Sequence, residues 1–321
     1  MIHDIKEKYS VGALLYSPAL NEKVADDVVN NKYGQQYSLA LCLEDTIADN
    51  SIEVAEQKLE ETLKKIHFEI GNKQFFLPKI FIRVRTAQQM SRLHNDFEPY
   101  ADIIQGYVFP KYSLTSADAF NEAVKEINSR SKKKVYMMPI LESSDIVEYA
   151  SRREVLSKLK EKIDSVKEYV LNIRVGGNDF CNQFAARRHY DETIYDILPI
   201  SQLLGDILTA FSREYVVSGP VWEFFSSDND EWKKGLQNEL KYDKLNGFIG
   251  KTVIHPKQVS VVNEALKVSL KDYEDAKEIL NWDDSGLQVG KSFGGERMNE
   301  VKTHINWAYK MVALAEIYGV L

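Results

Sequence analysis

The hydrophobic residues of this chain gather in short runs, separated by longer stretches with helical spacing. Val135–Leu141 is nearly all apolar and too short for a solitary helix, so it reads as a strand buried on both faces. Val11–Tyr16, Tyr37–Leu43, Lys79–Val84, Ile103–Phe109, Tyr169–Val175 and Tyr215–Val221 read as further strands, and Gly247–Ile254 as a weaker last one. Pro18 and Pro110 are expected to end the first and fourth, because proline cannot continue a ladder.

The intervening stretches read as helices. Ala25–Val29 is a short piece. Ser51 is placed to cap a long helix whose apolar face is Ala55, Leu59, Leu63 and Ile66, with the charged residues from Glu53 to Lys64 on a solvated face. Gln88–Phe97 follows. Thr115 and Asp118 resemble a capping box for a helix reaching about Asn128. Ile146–Val166, Ile200–Phe211, Glu231–Tyr242 and Val259–Val268 complete the set. Strands and helices alternating in this order predict an α/β fold, a (β/α)₈ TIM barrel over residues 1–268. A doubly wound open sheet is the alternative, but no G-x-G-x-x-G opens a helix. Residues 269–321 form a C-terminal helical extension: a helix over Tyr273–Leu280, a loop or hairpin over Asp283–Gly295, and a final helix over Glu296–Leu321. That last helix is apolar along Val301, Ile305, Ala308, Met311, Leu314 and Ile317, which suits a lid or an oligomer contact.

Composition narrows the function. A 44% apolar fraction over 321 residues suits a sizeable soluble core. The net charge of −7 argues against nucleic acid as a partner. Cys42 and Cys181 sit in apolar company and read as core thiols of a reducing, cytoplasmic compartment. The N-terminal MIHDIKEKYS has no apolar core and does not read as a signal peptide, and no run is long enough to cross a membrane.

The chemistry gathers at strand ends. Glu142 ends the buried Val135–Leu141 run, and Ser143, Ser144 and Asp145 after it are residues that open a helix. Glu44 and Asp45 follow the second strand, Arg83 and Arg85 the third, Lys111 the fourth, Asp179 the sixth, Glu223 the seventh and His255 the eighth. Singly, each acid reads as a helix cap or dipole partner, Arg83 as a structural ion pair, and His255 as a packed turn residue. Together they share one rim of a barrel, where a hard cation such as Mg²⁺ needs only a few carboxylates and leaves positions for substrate and water. The histidines and cysteines lack zinc-ligand spacing, and no G-x-S-x-G surrounds a serine. Gly176-Gly177 is too short for a phosphate loop but lets backbone approach a ligand.

These motifs, in this order, resemble the citrate lyase β-subunit family with its malyl-CoA lyase and HpcH/HpaI aldolase relatives. The resemblance rests on LCLEDTIAD (Leu41–Asp49), FIRVR (Phe81–Arg85), VFPK (Val108–Lys111), PILES (Pro139–Ser143), VGGNDF (Val175–Phe180) and GFIGKTVIHPKQVSVVNEAL (Gly247–Leu266). Within that family the chain looks most like a divergent C–C-bond-lyase-like branch found beside tellurium-resistance genes. The resemblance implies a Mg²⁺-dependent barrel, with Mn²⁺ as a substitute, that breaks or makes a C–C bond between an α-keto acid and an acyl-CoA enolate. Glu142 and Asp179 would bind the metal. Arg83 would hold the thioester or enolate oxygen, and Glu44 and Asp45 would bind waters or orient Arg83. Glu300 would take the place of the family's acid/base Asp, which sits on the C-terminal lid and is often supplied by a neighbouring subunit, so a homo-oligomer is expected. Lys111, Gly177 and His255 complete the candidate substrate-binding set.

The chain departs from that pattern at several points. Cys42 stands where the family has Asp, Asn299 replaces an aliphatic residue, Arg85 replaces an Asn, Gly12 stands near a family Arg, and Glu300 is one methylene longer than Asp. The expected reaction class is therefore kept while the substrate differs, with a CoA thioester or a free hydroxy-keto acid as the two options. A non-catalytic binding or scaffold protein on the same barrel is the alternative reading. A Mg²⁺ barrel for phosphorylated substrates ranks lower, since Lys251 is the only obvious basic residue after the last strands.

Overall fold

The computed structural model describes residues 2–283 and 286–321. Met1, the side chains of Ile2, His3 and Asp4, and Asp284 and Ser285 within the expected Asp283–Gly295 loop or hairpin lie outside the described residues. The apolar runs become β1 (Ala13–Pro18), β2 (Tyr37–Cys42), β3 (Lys79–Arg83), β4 (Ile104–Phe109), β5 (Tyr136–Leu141), β6 (Ile173–Val175), β7 (Val217–Ser218) and β8 (Lys251–Val253). They form an eight-stranded sheet in the order β7-β6-β5-β4-β3-β2-β1-β8. Neighbours pair in parallel, and β1 pairs with both β2 and β8. A bridge between Gly219 and Lys251 and a 2.9 Å bond from the Ile249 amide to the Val217 carbonyl bring the two ends of the sheet together. The sheet is thus a nearly closed barrel with helices between its strands, and the open-sheet alternative does not hold.

The ladders end where backbone chemistry dictates. Pro18 is the last residue of β1, and Pro110 directly follows the last residue of β4, as expected. The Ala19 amide reaches the Cys42 carbonyl at 2.9 Å, so the Pro18 nitrogen faces the opposite edge, where β8 has already stopped opposite Leu15. A missing N–H costs nothing there. β7 is shorter than the run Tyr215–Val221 because Pro220 cannot extend the ladder. β8 begins only at Lys251 because Gly250 holds φ +75° and packs against the Gly12 carbonyl, where a Cβ would lie at 2.4 Å. β6 begins only at Ile173, since Lys167–Tyr169 forms a 3₁₀ turn.

Two helix expectations change. The stretch Ile146–Val166 is broken into Ser144–Val147 and Arg152–Asp164. Arg152 causes the break: its guanidinium donates to the Ile146 and Val147 carbonyls and pairs with Asp206, so the first turn is closed off by a side chain. The Thr115/Asp118 capping box does not form. The helix starts at Ala117, and Asp118 pairs with Lys162 at 2.7 Å. Ser51 occupies the cap position of Ile52–Ile70 but makes no side-chain cap bond.

Inside the barrel, alternate residues of successive strands pack together. Leu14, Ala40, Phe81, Val108, Met138 and Ile140 belong to one buried cluster, joined by Tyr16 and Tyr136. Residues two apart on a strand share a face. Tyr16, Cys42, Arg83 and Glu142 therefore continue inward from Leu14, Ala40, Phe81 and Ile140, towards the strands' C-terminal ends. This alternation positions the site.

The chain divides into two compact units, Val11–Val262 and the residues up to Ser10 together with Asn263–Leu321. The second contains helices Ile2–Tyr9, Leu270–Leu280 and Val301–Tyr318 and a hairpin of β9 (Val289–Lys291) and β10 (Met298–Glu300). The hairpin uses residues expected to begin the last helix. Within this unit the Tyr318 hydroxyl donates to the Tyr9 carbonyl at 2.8 Å, and Asp275, 1% exposed, receives the Arg297 guanidinium. Ala308, Met311 and Leu314 are buried, and Val301, Ile305 and Ile317 half-buried. Among the described residues no helix is long and apolar enough to cross a membrane.

Candidate active site

Arg83, at the end of β3, is the hub of the barrel's C-terminal rim. Its Nη2 lies 2.6 Å from Glu44 Oε2, 2.9 Å from Asp45 Oδ2 and 3.7 Å from Glu142 Oε1. The guanidinium sits over the Tyr16 ring at 5.6 Å. Burial opposes its charge, but Tyr16 and the Glu142 and Glu44 carboxylates outweigh that and raise its pKa. Lys111 approaches the same acids from β4, with Nζ 2.6 Å from Glu44 Oε1 and 3.0 Å from Asp45 Oδ1. Burial works against the Asp45 charge, yet its hydrogen bond with the Glu44 carboxyl and the cations Lys111 and Arg83 hold its pKa below the usual range.

Glu142 is 4% exposed, and its carboxyl pKa is pushed up to about 8. Burial is the main cause; Arg83 opposes it, and the neighbouring Asp179 carboxyl adds to it. The Lys111 amide donates to Glu142 Oε1 at 2.8 Å. Lys111 holds φ +47° to do so, a left-handed conformation costly for a residue with a Cβ. Gly176 gives the acids their room. A Cβ there would lie 2.2 Å from Glu142 Cβ, 2.4 Å from Glu142 Oε2 and 3.1 Å from Asp179 Oδ2. Asp179 stands in the first turn of the helix Gly177–Gln183, half-buried.

A cavity of about 440 Å³ opens on these groups, lined by Arg83, Glu142, Asp179, Asp45, Gly176 and Gly177 among others. Of the expected candidates, Arg83, Asp45, Glu142, Asp179 and Gly177 line it, and Glu44 and Lys111 are tied to it through Arg83 and Asp45. Gly177 packs tightly, since a Cβ there would meet Pro220 and Ile194 within 2.8 Å. His255 does not line the cavity. Its ring stacks on Phe225 at 4.7 Å, and its Nδ1 accepts the Lys257 amide. Arg85 bonds to the Leu43 and Ile47 carbonyls and to Asp49, fixing the loop that carries Glu44 and Asp45. Lys251 is wholly buried between Glu239 at 2.8 Å and Asp243 at 2.7 Å, so it is committed to structure and free for no phosphate. Glu300 lies on the other unit, where its amide donates to His304 Nδ1 at 2.9 Å.

Tyr16, Arg174 and Thr252, none of them in the expected set, line the cavity as well. Arg174 stands inside the apolar β6, where the hydrophobic pattern marks it only as part of a strand. A charged residue in a run buried on both faces was the available signal.

The acid pair can hold a divalent cation. Among the described residues no group of three or more His, Cys, Asp or Glu side chains is arranged around a metal position. Two carboxylates facing an open cavity are what Mg²⁺ takes, with water and substrate oxygens completing its shell.

The family model for the C–C bond lyase of the TIM-barrel fold matches residues 5–320. The chain belongs to this family. Solved structures show the same fold. CitE from Mycobacterium tuberculosis, in complex with magnesium, acetoacetate and coenzyme A, superposes with a TM-score of 0.60 at 17% identity, covering 96% of this chain and 99% of its own. The citrate lyase beta subunit of M. tuberculosis with oxaloacetate and magnesium gives 0.54 at 16% identity, over 81% and 98% of the two chains. RipC from Yersinia pestis gives 0.53 at 16% identity, over 80% and 95%. No curated protein matches the chain. This member of the C–C bond lyase family therefore has a citrate-lyase-β-like barrel, and at these identities the likeness speaks for the fold alone.

Proposed function

We propose that the protein is a Mg²⁺-dependent carbon–carbon lyase or aldolase. Its substrate would be a 3-hydroxyacyl-CoA or a hydroxy-keto acid, which it cleaves to an α-keto acid and an enolate-derived product. The observation that carries this reading is the meeting of Arg83 with the Glu142–Asp179 acid pair at one cavity. Several proteins with the same barrel bind magnesium together with acetoacetate, oxaloacetate or pyruvate, which supports the choice of cation and ligand class.

Glu142 and Asp179 would hold Mg²⁺, whose charge would polarise the oxygens of the keto acid. The Lys111 amide and the gap left by Gly176 fix Glu142 for that task. In cleavage the β-hydroxyl loses its proton to a base, the C–C electron pair passes to the departing enolate, and that carbon is then protonated. Arg83 binds the enolate oxygen where negative charge develops. Glu44 and Asp45 clamp Arg83 so that it need not reorganise. Glu300 is our candidate for the proton carrier, supplied within a homo-oligomer.

Mg²⁺-dependent release of a keto acid from a panel of 4-hydroxy-2-oxo acids and 3-hydroxyacyl-CoA thioesters tests the proposal, with Glu142→Gln as the blank. Turnover in the parent and none in the variant is expected. Keto-acid binding without turnover on any member would favour the non-catalytic reading instead.

A further inference from the structure

Every other deeply buried cation described above has an acid beside it. Arg83 has Glu44, Asp45 and Glu142, Arg152 has Asp206, and Lys251 has Glu239 and Asp243. Arg188 likewise has Glu239, at 3.1 Å. Arg174, on β6, is 1% exposed and has no carboxylate within 4.0 Å among the described residues. Its partners are neutral. Nη2 donates to Thr252 Oγ1 at 2.6 Å, Nη1 reaches Asn172 Oδ1 at 3.5 Å, the Tyr16 hydroxyl bonds to it, and Nε has no partner. Arg83 adds like-charge repulsion. A buried charge left in this state is unfavourable, and an unpaired guanidinium is a preformed fork for an oxyanion.

The cavity places that fork. Tyr16, Arg174 and Thr252 line the same space as Glu142 and Asp179. They come from β1, β6 and β8, so three strands fix them before any ligand arrives. Tyr16 and Thr252 each bring a hydroxyl, and together with the guanidinium they match the two oxygens of a carboxylate.

We propose that Arg174, Thr252 and Tyr16 form an anion subsite that binds a carboxylate of the substrate other than the one held at the Glu142–Asp179 end. The substrate is then a keto acid with a second acid group, not a monocarboxylic one. This rests on the keto-acid reading above and refines it.

Titration calorimetry on the Mg²⁺-loaded protein tests it, with oxaloacetate against 2-oxobutyrate, which carries a methyl group where oxaloacetate has its second carboxylate. The parent should prefer oxaloacetate by about tenfold or more. Arg174→Gln should bring the two within about threefold, chiefly by weakening oxaloacetate, while 2-oxobutyrate and Mg²⁺ affinities hold. Thr252→Val should reduce the preference in part, and it answers the question if Arg174→Gln does not fold. Binding of both acids by the parent with equal affinity overturns the subsite and leaves the keto-acid reading standing. Equal loss of both acids in the variants overturns it as well. Binding of neither acid by the parent overturns the reading and the subsite together.

Discussion

The Lys111 backbone N–H donates to Glu142 Oε1 at 2.8 Å, while the Lys111 side chain pairs with Glu44 and Asp45. One residue thus serves both acid groups of the rim, by separate atoms. Lys111→Gly keeps the N–H and relaxes the left-handed backbone. Mg²⁺ affinity should stay within about threefold of the parent and thermal stability should not fall, while turnover drops through a looser Arg83 clamp. Calorimetry and a melting curve check this; a large loss of Mg²⁺ affinity would show that the side chain, not the amide, supports Glu142.

Glu142→Gln and Asp179→Asn each remove one of the two carboxylates offered to the cation. Mg²⁺ affinity should fall by about 100-fold or more in either. Glu142→Gln should melt no lower than the parent without metal, since it places no charge in a site that is 4% exposed. Unchanged Mg²⁺ affinity in both variants sinks the site assignment.

Gly176→Ala drives a methyl group to 2.2 Å from Glu142 Cβ. It should cost about 1–3 kcal/mol and displace the carboxyl, so that Mg²⁺ binding weakens too. Gly205→Ala is the control. It lies in the helix Leu198–Phe211, where a Cβ meets nothing within 4 Å, and should stabilise by about 0.5–1 kcal/mol. Denaturant melts of the two variants should move in opposite directions; a Gly176→Ala protein as stable as the parent would mean that Glu142 has another place to go.

What could be read from the sequence follows from which constraints are local. Parallel strands buried on both faces leave solid apolar runs, and these showed the barrel and its order. Strand ends were legible where a proline stands, as at Pro18 and Pro110, and less so for β8, which begins only after Gly250 packs on the Gly12 carbonyl, a fact of pairing and not of sequence. The rim acids and Arg83 were legible because they stand at the ends of such runs. Arg174 was not, since within LNIRV it reads as strand interior, and only its inward direction gives it meaning. His255 looked equivalent to the rest by position, but Phe225 stacks against its ring and it takes no part in the cavity lining.

The Glu142 carboxyl is raised from 4.5 to about 8 in the metal-free protein, which has two consequences of opposite sign. Between these values the folded state holds a proton that the unfolded chain has released, so the stability of the metal-free protein should decline as pH rises through the window. Mg²⁺ must displace that proton, so its apparent affinity should climb by about tenfold per unit up to pH ~8 and then level off. Calorimetry in buffers of different ionisation enthalpy should record release of roughly one proton per Mg²⁺ near pH 7. A flat affinity from pH 6 to 8.5 would contradict a protonated Glu142.

The grouping of the residues up to Ser10 with Asn263–Leu321 sets an order on biosynthesis. A ribosome makes the helix Ile2–Tyr9 before the barrel residues and Tyr318, whose hydroxyl donates to the Tyr9 carbonyl, after them. The barrel residues emerge entirely between the two. The smaller unit is therefore finished only after every barrel strand is available, and the helix Ile2–Tyr9 waits through synthesis of the whole barrel for its partner.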